Sequence, residues 1–376
     1  MKIVVDENIP FADEYFGNLG EVIRVPGRNI PKDALKSADA LIIRSVTRVN
    51  EELVDCTQSL KYVGTCTIGT DHVDAGLLSD RNIMFQSAPG CNRISVGQYV
   101  ISSLFLLARR KSFCLKGKSI GIVGGGNTGS SVAFYAELLG MNVRIYDPFL
   151  AVADSGSGKN YVSWNDALNS DIVTFHVPLT KDGAYPTWHM LSDDEISALK
   201  PGTVLVNASR GDVWNNDALL VRMEKSGDLE LVMDVWEHEP KVNVPLIGHT
   251  FLSTPHIAGY SAEGKLRGTS MIASGFCRFF GIEQKLPEES GLLSVTDSDF
   301  MPSSSDPEKA WGEIALEVYN PERDSKIFRK QYTDPSSFDL MRKNYPGRRE
   351  WSSKRFSIGD PELKSLLSKA GFGLIL

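Results

Sequence analysis

The chain has 376 residues, of which 42% are apolar, 23% charged and 9% aromatic. That composition excludes a disordered or fibrous chain, and the length suggests two or three domains with a core that needs no metal or disulfide staple. Forty basic against 47 acidic residues leave a net charge of −7, which speaks against nucleic-acid binding through bulk positive charge.

Residues 1–6 carry charges at both ends of a short apolar run and read as a first strand over 2–5, not as a secretion signal. A helical stretch near 11–19 follows, then β-rich runs at 22–25, 40–43 and 61–64. Strands alternating with helices predict a parallel sheet covered on both faces. A long helix is expected over 92–110, capped by Asn92 or Ser95. Its uncharged part, 94–108, is too short and too polar to span a bilayer, so no membrane partner is expected. A second α/β unit starts at Lys118, with strands at 119–123 and 142–146 flanking a glycine-rich turn and a helix that runs to Leu139. Further strands are expected at 172–176, 203–207, 231–235 and 250–252, then a helix over 262–280. From Leu286 the composition changes to Ser/Pro/Asp-rich and then to basic and aromatic, which reads as a third domain. The expected domains are therefore 1–92 with 257–285, then 93–256, then 286–376. The basic stretch 342–355 interleaves aromatics but includes Glu350, and no nucleic-acid role is expected for it.

The cysteines, Cys56, Cys66, Cys91, Cys114 and Cys277, are odd in number, widely spaced and without a C-x-x-C pair. Neither a disulfide framework nor a zinc site is expected, and a reducing cytoplasm fits them.

Gly124, Gly126 and Gly129 form G-x-G-x-x-G between a strand and a helix. The first glycine permits the tight turn, the second lets a pyrophosphate approach the backbone, and the third allows close helix–strand packing. The helix start offers free N–H groups to phosphate. Asp147 ends the next strand, 18 residues after Gly129, where a carboxylate bonds the ribose hydroxyls of NAD and repels the extra phosphate of NADP. NAD is the expected cofactor. Because this fingerprint starts near residue 120, an α/β substrate domain is expected before it, with the ligand cleft between the two.

Three later segments end strands: 206–211 with Arg210, 234–240 with Glu239, and 253–259 with His256. Singly, Arg210 reads as a surface ion-pair partner, Glu239 as a solvated acid and His256 as a satisfied loop histidine. Together they supply what alcohol oxidation needs. A histidine takes the hydroxyl proton, a carboxylate orients the imidazole, and a guanidinium grips a substrate carboxylate. His72, His176, His189, His238 and His249 read as structural or loop residues, His176 with a backbone hydrogen bond.

The glycine motif with Asp147, the segment 171–179, 206–211, Glu239-Pro240 and 255–259 resemble the D-isomer-specific 2-hydroxyacid dehydrogenases in order and spacing over residues 1 to 285. The resemblance implies Arg210, Glu239 and His256 as the catalytic set. It departs at Asn215, where many relatives carry Asp. It implies an α/β fold, with a Rossmann-type NAD domain inserted into a flavodoxin-like substrate domain. Further motifs, among them 4–10, 44–47, 69–74, 88–92, 181–183, 185–187, 256–260, 340–345 and 348–353, resemble one branch of the family over nearly the whole chain. That branch implies oxidation at C2 of a four-carbon, 4-phosphorylated 2-hydroxy acid, on the route to pyridoxal 5′-phosphate. It also implies a C-terminal α+β dimerisation domain and hence a homodimer. By the same resemblance Ser45, Thr67 and Tyr260 line the substrate. Val177, Ala208, Ser209, Arg210, Asp234 and Gly259 lie along the nucleotide, and Asn127 and Thr128 face the pyrophosphate through backbone N–H groups. Arg44 is a candidate grip for the substrate phosphate, with Arg348 and Arg349 as others across a dimer. No metal is expected. The rival readings are the same chemistry on 3-phosphoglycerate or glyoxylate/hydroxypyruvate, and an NAD sensor without catalysis.

Overall fold

Strands β1 (Lys2–Asp6), β2 (Glu21–Val25), β3 (Ala40–Ile43), β4 (Tyr62–Thr65) and β5 (Met84–Gln86) form one sheet in the order β2-β1-β3-β4-β5, and every pairing in it is parallel. This is the flavodoxin-like strand order. β3 and β4 are buried along their whole length, as continuous apolar runs with both faces covered are. Ile3, Val5 and Tyr62 pack on one face with Leu266, Ile272 and Phe276 of the helix Ala262–Phe280. Val4, Leu41 and Val63 pack on the other face with Leu35 and Leu78. The helix Ala262–Phe280 opens on Ser261, whose hydroxyl accepts the Gly264 amide at 2.8 Å. The expected helix near 11–19 is shorter, Ala12–Phe16, because the chain enters it through Phe11 at φ 57 and leaves at Gly17. β5 was not anticipated: three half-exposed edge residues carry too little periodicity to register.

The computed structural model describes residues 1–375 apart from 155 and 157. They divide into two compact units, 1–92 with 261–294, and 93–260 with 295–376.

In the second unit β6 (Ser119–Val123), β7 (Asn142–Tyr146), β8 (Ile172–Phe175), β9 (Val204–Asn207), β10 (Glu230–Met233) and β11 (Leu252–Ser253) form a parallel sheet in the order β11-β10-β9-β8-β6-β7. The chain moves outward from β6 to β7 and then crosses to β8, so the order reverses at β6. Open α/β sheets bind ligands at the carboxyl ends of strands beside such a reversal. The helix Arg93–Lys111 is buried from Ser95 to Ala108, which is why its run of uncharged residues shows no polar face.

β12 (Thr296–Ser298), β13 (Lys354–Phe356) and β14 (Gly373–Leu374) make a small parallel sheet. Four helices accompany it: Pro307–Val318, Pro321–Gln331, Pro335–Lys343 and Pro361–Lys369. Each follows an Asp or Asn whose side chain accepts a first-turn amide, and each has proline at its start, where no amide is needed. The sequence suggested a separate third domain here. In the structure residues 295–376 share a core with 93–260. Phe105 meets Trp311 at 5.7 Å between ring centroids, and Tyr135 meets Trp351 at 5.0 Å.

Candidate active site

Several residues at the carboxyl end of the second sheet are held by definable contacts. Gly124 sits at φ +91, and a Cβ there would press on the His176 carbonyl at 2.9 Å. A Cβ on Gly129 would fall inside the van der Waals radius of Gly124 O, so only glycine lets the helix Asn127–Leu138 come this close. Gly126 caps that helix without a side chain, and a Cβ on it would meet nothing within 4 Å. The helix start is thus open where Asn127 and Thr128 begin the first turn, which fits the pyrophosphate of a dinucleotide. Asp147 Oδ2 accepts the Gly125 amide and Oδ1 the Leu150 amide, both at 3.0 Å, so the carboxylate is fixed at the end of β7. Val177 and Ala208, each only partly exposed, follow β8 and β9 at the same end of the sheet.

Asn207 shapes the next loop. Its Oδ1 accepts the Ser209 amide at 3.1 Å and the Ser209 hydroxyl at 2.9 Å, while Nδ2 donates to the Arg210 carbonyl at 3.0 Å. Arg210 Nη1 donates to the Ser209 carbonyl at 2.8 Å. Gly211 lies against the backbone of Trp236 and Glu237 with no room for a Cβ, so the Arg210 loop and the Glu239 loop are packed backbone to backbone.

Asp234 is buried and organises the loop after β11. Its Oδ1 accepts the Thr254 hydroxyl at 2.7 Å and the Ile257 amide at 2.8 Å, and its Oδ2 accepts the Ala258 amide at 2.9 Å. The Thr254 proton is therefore used, and Tyr99 must donate in the 2.7 Å contact between the two hydroxyls. The loop carries His256 at φ 57. His256 Nδ1 lies 2.8 Å from Glu239 Oε2, while Glu239 Oε1 accepts the Trp236 amide at 2.8 Å. Burial pushes the Glu239 carboxyl up. The charge and hydrogen bond of His256, the charge of Arg342 and the Trp236 amide outweigh that and hold it below the usual carboxylate range. An ionised Glu239 only accepts, so the neutral imidazole carries its proton on Nδ1 and leaves the Nε2 lone pair for a substrate hydroxyl. Beyond Gly259, Tyr260 closes a turn onto the Ile257 carbonyl at 2.8 Å and takes a hydrogen bond from Arg342 at 3.0 Å.

Arg44, Ser45 and Thr67 belong to the first unit. Arg44 forms a two-pronged pair with the buried Asp6, Nε to Oδ2 at 3.1 Å and Nη2 to Oδ1 at 3.2 Å. Ser45 is exposed beside it. Thr67 donates to the Gly69 carbonyl at 3.1 Å and so accepts from Thr65, 2.7 Å away. Thr65 in turn accepts from His72 Nε2 at 3.1 Å, which gives His72 the Nε2–H tautomer.

Residues 104–258 match the NAD binding domain of the D-isomer specific 2-hydroxyacid dehydrogenases, and residues 300–371 match a family described as a domain of unknown function. An erythronate-4-phosphate dehydrogenase of Tolumonas auensis is 45% identical over 100% of this chain and 99% of its own. One of Aeromonas salmonicida is 46% identical over 99% of both chains. The chain belongs to the erythronate-4-phosphate dehydrogenase family. It is thus an NAD-dependent 2-hydroxyacid dehydrogenase. A solved structure of D-lactate dehydrogenase from Aquifex aeolicus with NAD and lactic acid is also similar. Its TM-score is 0.62, at 25% identity over 74% of this chain and 96% of that one.

Within this member of the erythronate-4-phosphate dehydrogenase family, several neighbours of the site were not legible in the sequence. His189, read as a loop residue, places Nε2 at 2.6 Å from Glu237 Oε1 and stacks on Trp188 at 3.9 Å. The other Glu237 oxygen accepts the Asn216 amide at 3.1 Å. Asp212, Glu237 and His238 bring ligand-type atoms within 4.8 Å of one another, the arrangement a metal ion would use. The Glu237 oxygens, however, already serve these loop hydrogen bonds. Asn215, the departure from the pattern, caps the helix Asn216–Lys225 by accepting the Ala218 amide at 3.1 Å, a task Asn performs as well as Asp. His176 bonds backbone as expected, through its own amide, which donates to the Val123 carbonyl at 2.7 Å, but its ring does not. Its Nε2 instead meets the Thr174 hydroxyl at 2.8 Å, and Nδ1 is buried without a partner. Arg348, a candidate for a phosphate in a neighbouring subunit, is buried among this chain's own aromatics and donates to the Ser95 and Ala258 carbonyls. Among the described residues no helix is long and apolar enough to cross a membrane.

Proposed function

We propose that the protein oxidises 4-phospho-D-erythronate at C2 to 2-oxo-3-hydroxy-4-phosphobutanoate, a step in the route to pyridoxal 5′-phosphate. The observation that carries the reading is the 2.8 Å contact between His256 Nδ1 and Glu239 Oε2, which leaves Nε2 as the free base. His256 takes the C2 hydroxyl proton as the carbon–oxygen double bond forms. Bound NAD supplies the acceptor for the hydride leaving C2. Glu239 steadies the imidazolium, and its low pKa keeps it ionised for that task. Arg210 presents a planar fork to the substrate carboxylate and polarises the developing carbonyl. Ser45, Thr67 and Tyr260 contact the substrate. Arg44, held by Asp6, takes the 4-phosphate. The nucleotide lies along Gly124, Gly126, Asn127, Thr128, Gly129, Asp147, Val177, Ala208, Ser209, Arg210, Asp234 and Gly259. In this reading 1–92 with 257–285 is the substrate domain, 93–256 the NAD domain and 286–376 a dimerisation domain. The enzyme works as a cytoplasmic homodimer.

The test is NADH formation by the purified protein across 2-hydroxy acids with and without a 4-phosphate. Turnover of 4-phospho-D-erythronate well above erythronate, 3-phosphoglycerate and glycerate supports the reading. Equal turnover of a substrate without the 4-phosphate contradicts it.

A further inference from the structure

The acid/base loop is gripped from two sides, and only one of them belongs to the dinucleotide domain. On one side Asp234 accepts the Ala258 amide. On the other, Arg348 donates to the carbonyl of the same residue, and the same nitrogen donates to the Ser95 carbonyl. Arg348 is 9% exposed, and its guanidinium lies 4.0 Å over the Tyr319 ring. Tyr319 and Tyr345 both donate to Asp324, at 2.9 and 2.7 Å. The guanidinium thus sits on an aromatic floor that is itself hydrogen-bonded in place. Two residues further along the loop, Arg342 donates to the Tyr260 hydroxyl at 3.0 Å, and its charge also reaches Glu239. Its guanidinium lies 5.6 Å over the Tyr260 ring and 5.9 Å over that of Phe338. Tyr345 meets Tyr260 edge-on at 6.1 Å. Trp351 anchors the segment by donating its amide to Gln98 at 3.1 Å.

Arg342 and Arg348, with the Tyr319, Asp324, Tyr345 and Trp351 that hold them, come from the region that matches a domain of unknown function. A segment serving only to bury apolar surface has no need to send two guanidinium groups, each with a buried unpaired nitrogen, onto this loop. We propose that Arg342 and Arg348 are positioning residues: the C-terminal segment fixes Tyr260 and the Ala258 peptide, and thereby holds His256 in one geometry against Glu239. The inference rests on the reading of His256 and Glu239 as the acid/base pair.

The experiment compares Arg342→Gln, Arg342→Lys and Arg348→Lys in the full chain, alone and with His256→Asn. It measures kcat and KM for 4-phospho-D-erythronate, NAD affinity by fluorescence, and Tm. The expected result is a fall in kcat of at least about tenfold for Arg342→Gln with NAD affinity within about twofold, since misplacing a reacting group costs turnover more than cofactor binding. Arg342→Lys recovers most of the loss. In the His256→Asn background, Arg342→Gln lowers the residual kcat by less than about twofold, because a residue acting through another is not additive with it. An unchanged kcat in folded Arg342→Gln, or a full additive loss in the His256→Asn background, overturns the proposal. If Arg348→Lys fails to fold, the Arg342 series decides. If His256→Asn alone leaves turnover intact, the acid/base reading falls, and the proposal falls with it. Loss of kcat in His256→Asn with none in Arg342→Gln removes this proposal alone.

Discussion

His256 Nδ1 and Glu239 Oε2 stand 2.8 Å apart, and the second Glu239 oxygen is tied to the Trp236 amide. Glu239 is therefore fixed before the histidine is charged. Glu239→Gln keeps the size and removes the charge that stabilises the imidazolium. Its kcat is expected to fall about a hundredfold with NAD affinity little changed, measured by steady-state kinetics and fluorescence titration. The carboxyl is lower in the folded than in the unfolded chain, so it stabilises the fold above the ordinary carboxylate range. That contribution is lost as pH falls through the folded value. Urea unfolding below pH about 5 is expected to show a shallower acid loss in Glu239→Gln than in the natural chain.

Asp147 caps the short helix Pro148–Ala153 and accepts the Gly125 amide. Asp147→Ala is expected to cost about 1 kcal/mol of stability through the lost cap. It is also expected to narrow the preference for NAD over NADP at least about tenfold, because the carboxylate that repels the extra phosphate is gone. Paired kinetics with the two cofactors check this.

Gly129→Ala places a methyl group against the Gly124 carbonyl. The helix must move away from the glycine loop, costing about 1–3 kcal/mol and at least about tenfold in NAD affinity. Thermal melts and NAD titration read both effects. An unchanged Kd for NAD would show that the close packing at Gly129 does not shape the cofactor site.

The His176 amide donates to the Val123 carbonyl, its ring Nδ1 is buried and unpaired, and desolvation of the ring lowers its pKa from 6.5 to about 3. The fold prefers the neutral ring. Stability is intact above 6.5 and is lost as pH falls toward 3, because the unfolded chain takes up a proton that the folded chain refuses. Between pH about 6 and about 4, His176→Gln is expected to lose stability less steeply than the natural chain, by up to about 1.4 kcal/mol per pH unit. Urea midpoints at three pH values test it, and parallel slopes would contradict it.

The strands, the glycine loop and the Arg210, Glu239 and His256 segments were legible because each depends on local pattern: apolar runs, glycine spacing, and loops that end strands. What escaped depends on contacts between residues far apart in sequence. Arg348 reads as a candidate grip for a phosphate until its partners, Ser95 and Ala258, are known. His189 gains meaning only from Glu237. The third domain was inferred from a real change in composition. Composition does not reveal that Trp311 and Trp351 pack onto Phe105 and Tyr135. β5 is too short and too exposed to leave a pattern.

The most direct test of the chemistry is the rate of NADH formation from 4-phospho-D-erythronate by the natural chain and by His256→Asn, with NAD affinity measured for both. The account predicts a fall in kcat of at least about a hundredfold in the variant with NAD affinity retained, since a general base contributes on that order. Undiminished turnover in His256→Asn, or no NADH from 4-phospho-D-erythronate with the natural chain, would contradict it.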